Sequence, residues 1–338
     1  MSRIFLHGIG AVSPAGWGVE ALHEALLNGA PLPSQPLDRP GRTQPLQVRR
    51  VPAPTPRPAF LAHPRLRRTS PITHFAVAAA IEALGGDAAR VATGELRLGI
   101  IFCAFAGCVS YSRRFYDETL RDPATASPLV FPETVFNAPA SHLAAFFGTK
   151  AVNYTLVGDQ GEFVKALALA ADWLLAGRVE GCLVVGAEEA DWLPADALRL
   201  LTPSAVAGEG AGAAYLRADP GAVELVAVTE PQLFTHSSGR LAAIQRSRAQ
   251  LSALALPGFW LMDSLAGSAA GPTAEPPWMS QSKRRLSPST ILGEGLGAMS
   301  AWQTVAAVET LRRGEASQAI IDVVGSNEQA VAAVLRRV

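Results

Sequence analysis

The sequence predicts a layered α/β protein made of two similar halves. Three observations lead there. Residues 152–185 read as a strand, a tight turn, an alanine-rich helix and a second buried strand. Residues 291–324 repeat the logic, with a glycine-rich turn, a helix and a strand. Hydrophobic residues make up 49% of the chain and charged ones 17%, a balance that suits a fully covered layer or a large hydrophobic partner surface.

The elements follow in chain order. Residues 4–9 form an apolar run ending in glycines, read as a buried strand, and a helix with Leu22, Ala25 and Leu26 on one face comes next. Residues 31–70 are rich in Pro and Arg with little periodicity, which predicts an irregular surface excursion. Residues 72–84 read as an alanine-rich helix, 98–105 as a strand covered on both faces, and 111–127 as helix plus loop. The central unit places Gly158-Asp159-Gln160-Gly161 between a strand and a helix start, where backbone N–H groups and the helix dipole favour a nucleophile. Further strands are read at 224–229, 258–262, 320–324 and 332–335, with a helix at 302–312. Mixed strands around a buried helix in each half argue for duplication, divided as 1–218 and a shortened 219–338.

Lys plus Arg and Asp plus Glu number 29 each, so no global attraction to nucleic acid or anionic membrane is implied. The three cysteines, Cys103, Cys108 and Cys182, show neither metal spacing nor a disulfide framework, so a reducing cytoplasm is expected. No secretion signal or membrane span is read. No metal or other cofactor is expected.

Several segments resemble β-ketoacyl-acyl carrier protein synthases. Ile9-Gly10-Ala11-Val12-Ser13-Pro14-Ala15-Gly16 is similar to their opening "G-x-G-x-V-S-P-x-G". Phe131-Pro132 and Asn137 to Ala144, then Gly148, resemble the stretch before the nucleophile, and Asn153-Tyr154-Thr155 leads to the position of the active cysteine, occupied by Gln160. Gly208-Glu209-Gly210-Ala211 resembles the "GEGA" turn, and Ile291 to Ala298 resembles "N-I-G-H-x-x-G-A". The resemblance spans nearly the whole chain and implies a thiolase-like five-layer αβαβα fold.

The departures are as informative. A synthase of this kind needs a thiolate and two histidines. Here Gln160 cannot form a thioester, the second histidine position holds Glu294, the preceding lysine position holds Ser289, and Ser264 is the best counterpart of the first histidine. The last histidine in the chain is His236, upstream of both positions. The closing gate becomes Gly325-Ser326-Asn327-Glu328, without a phenylalanine. With these positions lost together, Gln160 is read as capping the helix and filling the pocket, as in chain-length factors, the non-catalytic partners of type II polyketide synthases.

The resemblance then implies a chain-length-factor-type subunit, of the aryl-polyene or a related polyketide kind. It would pair with a catalytic ketosynthase and meet an acyl carrier protein. Val130, Phe131, Phe136 and Ser326 are the tunnel and interface candidates. Two alternatives stay open: a malonyl-carrier protein decarboxylase of the Gln-for-Cys type, and a homodimeric scaffold for acyl chains or carrier protein. His142, Cys182, Glu188, Glu189 and Glu209 are read as structural, and the tryptophans as core or interface anchors.

Overall fold

A computed structural model of the chain describes residues 3–264, 275–326 and 328–338. The loop set against the first histidine segment, residues 265–268, and Asn327 of the gate lie outside the described residues.

The strands are β1 (Ile4–Ser13), β2 (Leu98–Ala104), β3 (Asn153–Val157), β4 (Gly181–Glu188), β5 (Gly210–Arg217), β6 (Val223–Val228), β7 (Trp260–Asp263), β8 (Arg284–Leu286), β9 (Gln318–Val324) and β10 (Gln329–Arg337). The first five lie side by side as β3-β2-β4-β5-β1, the second five as β8-β7-β9-β10-β6. In the first array β2 runs parallel to β3 and β4, while the β4–β5 and β5–β1 pairs are antiparallel. The second array repeats this, with β7 parallel to β8 and β9 and with antiparallel β9–β10 and β10–β6 pairs. Order and direction therefore recur strand for strand, and the duplication is topological. The arrays meet where β1 pairs with β6 through Ile4↔Leu225 and Phe5↔Glu224.

The helices supply the remaining layers: α1 (Val19–Asn28), α2 (Pro71–Leu84), α3 (Val109–Arg121), α4 (Ala138–Phe147), α5 (Glu162–Leu175), α6 (Trp192–Leu201), α7 (Ser237–Ala249) and α8 (Met299–Arg312). Helix α5 bridges β3 to β4, and α8 occupies the equivalent crossover between β8 and β9. Every residue of α8 except Glu309 and Arg312 is buried, so this helix has no solvent face and forms the middle of the molecule. Its neighbours make room by losing side chains. A Cβ on Gly212 of β5 would lie 2.7 Å from the Ala301 Cβ. On the outer side of the first array, a Cβ on Gly10 of β1 would reach 2.0 Å from the Ala79 carbonyl oxygen of α2. That closeness explains why both segments are built from small residues.

The excursion at 31–70 departs from the expected irregular surface segment. Residues Leu46–Arg49 form a short strand whose Val48 and Arg49 pair in parallel with Ala207 and Gly208. Leu46, Val48 and Leu66 are buried, so their apolar area anchors the segment to the body. A helix, α7, also occupies a region for which no element was read.

Candidate functional site

The turn between β3 and α5 sets the site. Asp159 is buried and its carboxylate gathers four partners. Oδ1 accepts the Gly161 backbone N–H at 3.0 Å and the Gln329 side-chain amide at 3.4 Å. Oδ2 accepts the N–H groups of Glu328 at 3.0 Å and Gln329 at 3.3 Å. A Cβ on Gly325 would lie 1.7 Å from Oδ2, so only glycine fits there. Asp159 thus ties the helix start of the first half to the gate loop of the second. Burial pushes its carboxyl up, and these donors pull it back.

Gln160 does not cap α5, contrary to expectation. The capping residue is Gly161, which has no side chain to cap with, and its own N–H donates to the Asp159 carboxylate. The Gln160 amide reaches across the molecule. Its Nε2 donates to Glu294 Oε1 at 3.1 Å and to Ser326 Oγ at 2.9 Å, while its Oε1 accepts the Ser326 N–H at 3.1 Å. Its backbone carbonyl accepts the Ser300 hydroxyl. An amide offers both donor and acceptor, so it can satisfy a carboxylate and a peptide N–H at once; a carboxylate only accepts, and a thiol does both only weakly.

Glu294 is half-buried as a residue, but its carboxyl is desolvated, which pushes it up from the ordinary range despite the Gln160 donor. Its Oε1 also accepts the N–H of Leu296 at 3.1 Å. Leu296 holds a left-handed φ of 45°, the one non-glycine positive φ among the described residues, and the turn is braced by the Trp302 ring against Gly295.

A cleft of about 230 Å³ opens over this cluster. Gln160, Ser264, Ser289, Glu294 and Ser326 all line it, so sequence positions read from four separate segments converge on one cavity. Ser264 has a structural task there. Its Oγ accepts the Val324 N–H at 2.8 Å and donates to the Asp322 carbonyl at 3.3 Å, which pins the end of β7 to β9. Among the described residues no histidine lines the cleft. Two arginines do, Arg49 and Arg240, and neither was expected. Arg49 sits on the short strand inside the Pro/Arg-rich excursion, where the apolar–polar–apolar triplet Leu46, Gln47 and Val48 is too short to signal a strand. Asp159 lay in the recognised turn but had been given no role.

The other tunnel and interface candidates lie elsewhere. Phe131 and Phe136 are exposed, whereas Val130 beside them is buried within its own chain. Phe131 packs on Phe115 of α3 with ring centroids 5.4 Å apart. Close by in sequence and equally exposed are Leu129 and Val135, and edge strand β3 exposes Tyr154 and Val157.

The remaining carboxylates act as clamps. Glu188 accepts the N–H groups of Phe105 at 2.9 Å, Ala106 at 3.1 Å and Gly297 at 3.3 Å. Glu189 takes the Ile72 and Ser110 N–H groups, and Glu209 those of Val51 and Ala190. Full burial pushes Glu188 up to about 8, against the pull of its three backbone donors. A raised folded-state value means that the native state keeps a proton the unfolded chain has released. Stability from this group is therefore complete below about 4.5 and falls as pH rises to about 8. Glu188→Gln is expected to flatten this decline, removing up to about 1.4 kcal/mol per pH unit from its slope. Urea unfolding at several pH values measures it, and parallel slopes for the two proteins would count against the assignment.

His142 pairs with Glu133 at 2.9 Å. The three cysteines are free and buried, and burial pushes their thiols up, away from the reactive thiolate. Among the described residues no cluster of His, Cys, Asp and Glu could hold a metal ion, and no helix is long and apolar enough to cross a membrane.

Comparisons with known proteins agree with this fold. No curated protein sequence matches the chain. Among solved structures, the ishigamide ketosynthase/chain length factor superposes with a TM-score of 0.80 at 19% identity, covering 99% of each chain. A ketosynthase in complex with its chain length factor from Xenorhabdus doucetiae gives 0.79 at 16% identity, covering 100% of this chain and 98% of that one. A β-ketoacyl synthase from Burkholderia phymatum gives 0.78 at 18%, with 100% of both chains covered. At these identities the likeness establishes the thiolase-like fold. Residues 1–222, well over half of the chain, match the β-ketoacyl synthase N-terminal domain, and the protein therefore belongs to the β-ketoacyl synthase family.

Proposed function

We propose that this chain is a non-catalytic, chain-length-factor-type member of its family, which pairs with a cysteine-bearing ketosynthase and helps to shape the tunnel for the growing acyl chain. The observation that carries the reading is the closed amide of Gln160. The nucleophile position is occupied by a group whose donor and acceptor are both spent on Glu294 and Ser326. A degraded site under no constraint would not be expected to satisfy a buried amide so fully. The absence of histidine from the described cleft lining argues against the decarboxylase alternative, which relies on the same histidine pair.

Exposed apolar side chains support a partner. Tyr154 and Val157 stand on β3, whose outer edge has no strand beside it among the described residues, with Phe131, Phe136 and Leu129 exposed as well. An edge strand with exposed aromatic and aliphatic groups is a liability unless another chain covers it. Two of the solved relatives are described as ketosynthase and chain length factor together, and another as a ketosynthase with an acyl-carrier protein. A heterodimer served by a carrier protein is the matching assignment here. Val130, already buried in its own chain, would then support Phe131 from behind, and Ser326 would act through Gln160.

Truncating both exposed rings, Phe131→Ala with Phe136→Ala, is expected to lengthen the products of the assembled pair by at least one extension unit. Mass spectrometry of carrier-bound products reads this directly. An unchanged length distribution at normal assembly would remove these residues from length control.

A further inference from the structure

The cleft over Gln160 holds more positive charge and more donors than its own walls use. Arg240 enters from α7, and its buried Nε has no hydrogen-bond partner among the described residues. The carboxylate whose field it feels is Asp159, which is already committed to Gly161, Glu328 and Gln329. Arg49 stands on another wall, its guanidinium fixed by the carbonyls of Leu32 at 2.8 Å and Thr290 at 3.3 Å. Those carbonyls orient it without neutralising it. The Ser289 hydroxyl, also on the wall, is buried and unpaired among the described residues.

Burying a guanidinium or a hydroxyl without a partner costs free energy, so such groups normally face something that accepts from them. Two partly buried cations and an orphan hydroxyl around one cavity ask for an acceptor that carries negative charge. We propose that this cleft binds a small oxyanion, a carboxylate or phosphate group, gripped by Arg240 and Arg49 with Ser289 as a further donor. The planar fork of an arginine matches both anions and holds either through paired N–H···O bonds. The volume of about 230 Å³ admits the anionic group with a short attached chain or several waters, each water taking roughly 30 Å³.

Glu294 on the floor is the one obvious objection. Its Oε1 is already taken by Gln160 and Leu296, and burial moves its carboxyl toward the neutral acid, which lowers its repulsion for an incoming anion. Binding needs no ketosynthase partner, because every group that would hold the anion belongs to this chain.

The test is calorimetric titration of the purified full-length chain with potassium phosphate and, separately, with sodium malonate, at constant ionic strength set by chloride. Saturable binding of at least one anion is expected, with a Kd of about 1 mM or tighter. Phosphate alone would assign a phosphate-bearing ligand and malonate alone a carboxylate; both outcomes support the site. Arg240→Met keeps the length of the stem and removes no hydrogen bond to a described residue, so it should fold normally and weaken binding at least about tenfold. Arg240→Lys should recover part of the loss. Saturable binding of neither anion would overturn the proposal, as would equal binding by Arg240→Met with its fold confirmed by circular dichroism.

Discussion

Trp302→Ala is expected to cost about 3–5 kcal/mol of unfolding free energy, a large part of the roughly 5–15 kcal/mol that holds a typical protein folded. The indole is fully buried in α8, and its Nε1 donates to Val12 O of β1 at 3.0 Å and Ala211 O of β5 at 3.1 Å. One side chain therefore fastens the middle layer to two strands of the first array. It also fills the space that glycine leaves at 295 and 210, where added Cβ atoms would come within 2.4 and 2.9 Å of the ring. Truncation opens a cavity in a layer with no solvent face to collapse from. It also releases the turn carrying Glu294. Trp302→Phe keeps most of the volume and loses the donor, so its expected cost is nearer 1–2 kcal/mol. Denaturant unfolding gives both values, and a cost below about 1 kcal/mol for the alanine variant would show that α8 repacks more easily than described.

Gln160→Cys is expected to leave the chain unable to condense acyl and malonyl groups. The new thiol would enter a pocket where Gln160 now contacts Glu294 and where burial is nearly complete. Desolvation in this pocket holds a thiol in its protonated form, outweighing the helix dipole. The cleft lining also offers no histidine among the described residues. Losing proton transfer removes about 10²–10⁴-fold, and losing one oxyanion donor about 10²–10³-fold. The variant should therefore fall at least about 10⁴-fold below a synthase that keeps both histidines. Product assays with carrier-bound substrates decide this. A rate within a hundredfold of such a synthase would mean that the site is dormant and not dismantled.

The fold was legible where burial imposes a simple pattern. The run at 98–104 is apolar throughout because β2 is covered on both faces and paired on both edges. The glycines and alanines of β1 and α2 register a close backbone approach that any larger residue would block. Helix α7 was missed because its apolar residues form one short cluster, Leu241 to Ile244, that is not repeated a turn later, where Ser247 and Arg248 stand. The strand at 46–49 was missed because four residues amid prolines give almost no periodicity. Gln160 and Glu294 could be found because glycine-rich turns mark their positions. Their mutual hydrogen bond could not, since they are 134 residues apart and nothing local encodes it. Arg240 and Arg49 resemble any surface arginine in sequence. Only folding brings them to one cleft, from α7 and from the excursion.

A subunit that works through a partner and not through its own chemistry must behave differently alone and in the pair. Co-expressing this chain with a cysteine-bearing ketosynthase from the same source, determining the assembly by size and mass, and assaying each protein alone and together with malonyl- and acyl-carrier protein tests the proposed role directly. The proposed role predicts a one-to-one complex, polyketide or acyl products from the complex, and neither condensation nor acetyl-carrier protein from this chain alone. Condensation or decarboxylation by the isolated chain would contradict it. So would a ketosynthase that yields the same products at the same rate without this partner.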